Sequence, residues 1–201
     1  MRQVRNFYFL IAFLISLLIV IKSIDYIVPQ FDSGYLSDKS GIFHFYKYFL
    51  YAHIIGAPIA FIAGLIQFSV KFSKWHKILG FIYVTSVLIL AAPGGLVMSF
   101  YAIGGIPSII NFIILSSLWF YFTLRAYIDI SKGNSRSHKL FMTRSFILAN
   151  SAILIRVLSF INNYSHLTDI TTGYIFIGWL SWLPALLTFE FWLLNKANDK
   201  S

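Results

Sequence analysis

The residues able to do chemistry are few, and most of them interrupt long apolar runs. His53, Arg125, Arg144, Arg156 and Glu190 lie among Leu, Ile, Val, Phe and Ala, while His76 and His138 each open such a run. An ionisable group surrounded by hydrocarbon is expensive, so each is by default a functional hypothesis. An unprotonated imidazole can bind a metal, a haem iron or a substrate acid, and both burial and a neighbouring arginine favour that form. Glu190 reads as the only acid inside an apolar run. It needs a cation, and Arg144 or Arg125 is the expected partner in a mainly structural pair.

Spacing assigns faces to these groups. His53, Gly56, Ala60, Gly64 and Gln67 recur at intervals of three and four, as do Ser145, Ala149, Ala152, Arg156 and Ser159. Each set is one stripe of a helix, and Gly56, Ala60 and Gly64 form a small-xxx-small series that lets a neighbouring backbone approach. Both stripes are expected to face a bundle interior. At 1.5 Å per residue, His53 lies about 27 Å from Lys71 and Arg156 about 24 Å from Leu140, so the two are matched in depth and are expected to share one polar pocket. The plainer alternatives are a histidine bonded to a backbone carbonyl and an arginine that snorkels to water.

His76 and His138 share a setting: Lys74-Trp75-His76-Lys77-Ile78-Leu79 resembles Arg136-Ser137-His138-Lys139-Leu140-Phe141. The echo suggests two related hairpins. The two clusters form either a basic collar for lipid phosphates or a shared ligand site.

Only long helices can hold these groups. Hydrophobic residues make up 58% of the 201, aromatic residues 19% and charged residues 11%, with a mean hydropathy of +0.76. A soluble domain carries about 25% charged residues, so this composition describes an integral membrane protein. At about 20 residues per span there is room for six helices and no soluble domain. The chain is therefore expected to be all-α, a polytopic membrane helical bundle forming a single transmembrane domain over 1–201. The spans are placed at about 7–28, 45–70, 78–101, 109–130, 140–162 and 173–194. No small-x-small cleavage site follows the first run, which is read as a retained helix.

The net charge of +9 follows from 16 Lys and Arg against 7 Asp and Glu. Its placement in short loops points to topology and anionic lipid rather than nucleic acid. Basic residues gather at one side, while loops 102–108 and 163–172 carry no Lys or Arg. The positive-inside rule then puts both termini in the cytoplasm. The basic loops are accordingly expected on the cytoplasmic side of an inner membrane.

Breaks and absences narrow the rest. Ala91-Ala92-Pro93-Gly94-Gly95 and Pro184 interrupt the third and sixth spans. Such breaks free carbonyls that can line a cavity. With no cysteine there are no disulfides, thiolate metal sites or cysteine nucleophiles. Walker-type, zincin and nucleophile-elbow motifs are also absent.

The order of features from His53 to Arg156 resembles the prokaryotic membrane family called domain of unknown function 2306. The residues that carry it are His53 with Gly56, Gly64 and Gln67, then His76-Lys77-Ile78-Leu79-Gly80 with Tyr83, Trp119, His138-Lys139 with Met142 and Arg144, and Arg156. Lys77 and Lys139 stand where the family usually has arginine, and Phe141 where it usually has tryptophan. The resemblance implies a multi-span helical bundle and names no reaction. More loosely, the chain is similar to two-haem b-type membrane cytochromes, whose haems need paired histidines on facing helices at matched depth. His76 with His138 is the better-matched pair, since a partner for His53 would have to come from His44 or His166.

Three functions follow as expectations. A redox protein would use His76, His138 or His53 as ligands to haem b or a metal. A transporter would use His53 and Arg156 with the broken helices. An assembly factor would hold a membrane partner, or a second copy, on its small-residue faces. Gln67, Arg144 and Glu190 complete the candidate polar and structural sites, and whether the chain is an enzyme is left open.

Overall fold

The computed structural model describes residues 39–69 and 74–198, together with Leu14, Phe31 and Leu36. The first expected span, 7–28, lies outside the described residues apart from Leu14. The described chain is helical: α1 Phe43–Ser69, α2 Lys74–Thr85, a π-helical segment Ser86–Ala91, α3 Ala92–Ser99, α4 Ile106–Ser131, α5 Ser135–Ala149, α6 Ser151–Ser165, α7 Ile170–Leu180 and α8 Leu183–Asn198. Five continuous helical stretches are long and apolar enough to cross a membrane, at Ser40–Gln67, Lys74–Ser99, Ile106–Ser131, Ser135–Ser165 and Ile170–Asn198. They are the second to sixth expected spans, in most cases reaching a few residues further at each end. His76 and His138 lie in the first turns of α2 and α5, which they were expected to open.

Three of these spans are interrupted near their middles. The first interruption is the π segment ahead of Pro93, whose missing N–H and bulky ring disfavour regular α-helix just before it. The second is Asn150, which ends α5 and turns its amide back to the carbonyl of Phe146 at 2.7 Å. The third is Ser181–Trp182, ahead of Pro184, where the Ser181 hydroxyl donates to the Gly178 carbonyl at 2.7 Å.

The chain forms two compact units, Met1–Tyr101 and Ala102–Ser201. Unit 1 is a helical hairpin in which α1 packs along α2, the π segment and α3. One end is closed by Leu36, Tyr46 and Leu50, with Tyr46 edge-on to Tyr101 at 5.5 Å. In unit 2, α4 packs on α5 and α7, α5 on α8, and α6 on α7. Two side chains start its helices: Asn134 accepts from the Ser137 N–H, and Asp169 accepts from the Thr172 N–H at 2.9 Å. The Thr172 bonds hold the Asp169 carboxyl below its usual value. Its capping contribution is therefore present above the unfolded carboxyl pKa and fades as pH falls through the lower folded one.

Candidate functional site

In unit 1, His53 is placed by two glycines. A Cβ on Gly56 would lie 2.5 Å from Leu90 Cβ and 2.9 Å from the Ala91 nitrogen. One on Gly94 would lie 2.6 Å from the Phe49 carbonyl oxygen and 2.9 Å from the His53 nitrogen. α1 and the π segment therefore approach backbone to backbone. The closeness brings the His53 ring onto the π segment, where Nδ1–H donates to the Ala91 carbonyl at 2.7 Å. A carbonyl cannot donate, so Nδ1 carries the proton. The expected stripe on this helix is a packing face, with Gly56, Ala60, Gly64 and Gln67 all buried.

At the other end of α1, Gln67 reaches across to α2. Its amide nitrogen lies 3.4 Å from His76 Nε2 and 3.3 Å from the His76 carbonyl, over the space left by Gly80. Both contacts are long, and the Gln67 carbonyl oxygen is buried with no hydrogen-bond partner. His76 is thus tied to the preceding span through Nε2, whereas His53 uses Nδ1.

In unit 2, His138 repeats the His53 arrangement. Its Nδ1–H donates to the Ala126 carbonyl on α4 at 2.9 Å, which leaves Nε2 as the nitrogen with the lone pair when the ring is uncharged. Beside it, buried Asp129 accepts from the Ser137 hydroxyl at 2.5 Å and faces Arg125 Nε at 3.4 Å. Further along the same two helices, Thr123 and Ser145 share a hydroxyl–hydroxyl bond of 2.7 Å between α4 and α5.

Glu190 pairs with Arg144, not Arg125. Both carboxylate oxygens are engaged, by Nε at 2.6 Å and Nη2 at 2.8 Å, and the Arg144 guanidinium also lies 5.1 Å from the Phe141 ring centroid. The expectation that Glu190 is the only acid within a span is corrected by Asp129, which lies inside α4 and is 4% exposed. It already fell within the expected span 109–130, and Ser137 of α5 bonds it there.

The second small-residue stripe divides at the Asn150 break. Ser145 and Ala149 are buried, whereas Arg156 on α6 is exposed and donates to the Ala152 carbonyl one turn back at 2.9 Å. His53 and His76 belong to unit 1, and His138 and Arg156 to unit 2. His44 and His166 are exposed, His166 in a left-handed backbone conformation after α6.

Sequence reasoning missed the buried polar face of α4. Ser108, Asn111, Trp119 and Thr123 lie along it, and Asn111 accepts from the Trp182 indole N–H at 2.8 Å. The signal was present, because these residues are spaced by three, eight and four, one or two helical turns each. It was overlooked because none of them is ionisable. Among the described residues no group of three or more His, Cys, Asp or Glu could hold a metal ion.

A family model described as "Predicted membrane protein (DUF2306)" matches residues 50–193, more than two thirds of the chain. No curated protein and no solved structure matches.

Proposed function

The chain belongs to the DUF2306 family of predicted membrane proteins, which brings no reaction with it, and from its own side chains we propose a membrane redox protein in which His138 would hold a haem b. The observation that supports this reading is the bond from His138 Nδ1–H to the Ala126 carbonyl. A histidine that ligates a metal nearly always donates its other nitrogen to such an acceptor, which fixes the ring and directs Nε2 outward. The donor set favours haem over a bare metal ion. A closed metal shell needs three or four protein ligands, which the described residues do not bring together, whereas haem needs one or two imidazoles. Without cysteine the haem would be held non-covalently. It would supply one-electron transfer, while the Ala126 carbonyl orients the imidazole.

Protein purified in mild detergent should show a Soret band that shifts on reduction. It should be lost in His138→Ala and kept in His166→Ala. A colourless, folded wild type that takes up no added haem would overturn the reading. A second reading, solute transport, is favoured by the three mid-span interruptions, since broken helices at that depth line the sites of many transporters. Flux of a solute through a colourless protein would decide for it.

The same proposal places the chain in the inner membrane with both termini in the cytoplasm and its basic loops against anionic lipid. A reporter active only outside the cytoplasm should be active when fused after Gly105 or Ser165. Activity after Asn134 instead would invert the topology.

A further inference from the structure

Among the described residues, three buried side-chain atoms capable of hydrogen bonding have no partner, and two of them, Ser108 Oγ and Asn111 Nδ2, lie one turn apart on one face of α4. Ser108 is 1% exposed and Asn111 0%. The Asn111 orientation is fixed, because the Trp182 indole can only donate and so must face the amide oxygen. The NH2 group is thereby turned toward Gly178 on α7, where a Cβ would lie 2.6 Å from it. Ser108 Oγ stands in the same relation to Gly104, again 2.6 Å from an added Cβ. Each unpaired atom is thus seated directly against a glycine, in the place a Cβ would take. A buried donor left unsatisfied costs about 1–3 kcal/mol, and in hydrocarbon no bulk water relieves it.

The surroundings restrict what could satisfy these donors. Neither 102–124 nor 170–189 contains a charged residue, so the charge of an ionic ligand would go unbalanced. The walls are apolar or aromatic, with the Phe112 and Tyr174 rings 5.5 Å apart and Phe112 also beside Gly178. An amide N–H and a hydroxyl together call for an oxygen acceptor. We propose that Ser108 and Asn111 bind the carbonyl oxygen of a neutral, membrane-dissolved molecule. The carbonyl can belong to a quinone ring or to the acyl ester of a glycerolipid. This site is separate from the proposed haem ligands and does not depend on them.

The test uses the full chain in lipid nanodiscs, with decylubiquinone as one probe and diester against diether phosphatidylcholine as the other. Ser108→Ala should leave the fold intact, since it removes a hydroxyl that has no partner. Asn111→Leu combined with Trp182→Phe removes both ends of one hydrogen bond at similar volume, so no new unpaired group is left. Saturable quinone binding, weakened at least fivefold by Ser108→Ala and abolished in the double variant, supports the site with a quinone as its ligand. An Asn111 side-chain amide NMR signal that differs between the two lipids, and loses that difference in Ser108→Ala, supports it with the ester carbonyl. If the quinone does not saturate and the amide signal ignores the lipid linkage, the site is overturned. Quinone binding that survives the double variant overturns it equally. Haem absorbance enters none of these readouts, so a colourless protein gives the same answer.

Discussion

Arg144→Met should destabilise the protein by about 3 kcal/mol, measured as loss of folded protein on titration with a denaturing detergent. That is the low end for removing one partner of a desolvated ion pair, chosen because Glu190 keeps 38% of its side chain exposed while Arg144 keeps 16%. The cost arises from the carboxylate left behind on α8 with two unsatisfied oxygens, more than from the lost attraction. Arg144→Lys should recover only part of it, because an ammonium cannot match both oxygens as the guanidinium fork does. The pair Arg144→Met with Glu190→Leu should be close to wild type, since neither charge then remains in the apolar region. If the single and double variants were equally unstable, Arg144 would act through its ring contacts with Phe141, Phe122 and Phe189 instead.

Gly94→Ala should have an effect of similar size, about 2–3 kcal/mol, through overpacking. Its Cβ would meet the Phe49 carbonyl oxygen at 2.6 Å and the His53 nitrogen at 2.9 Å, both backbone atoms of α1 that no rotamer change can move. The helices must separate, and the His53–Ala91 bond, 2.7 Å long, should lengthen or break with them. Gly41→Ala is the control, as nothing lies within 4 Å of its added Cβ, and should change stability by less than about 0.5 kcal/mol. Equal stability of Gly94→Ala and Gly41→Ala would mean that α1 and α3 are not held in close contact.

Both predictions turn on residues that the sequence singled out, and they show how far it reaches. The sequence by itself determined that the chain is a membrane protein, where its described spans run, and that His53, Gly56, Ala60, Gly64 and Gln67 share one face. Those properties belong to a single helix: hydropathy over about 20 residues fixes a span, and the 3.6-residue turn fixes a stripe. It also showed that Glu190 required a cation, because the cost of a lone carboxylate in hydrocarbon does not depend on its neighbours.

Only the tertiary structure decided which cation that was. Arg125 and Arg144 were equivalent in the sequence, and the choice between them rests on α8 packing against α5. The carbonyls of Ala91 and Ala126 that receive His53 and His138, and the Asn111–Trp182 bond across 71 residues, are of the same kind. Each depends on how one helix is rotated and tilted against another, which the periodicity of either helix alone leaves undetermined. The π segment belongs here too. Pro93 announced a break in the third span, but the added width at Ser86–Ala91 becomes visible only where Gly56 lets α1 press against it.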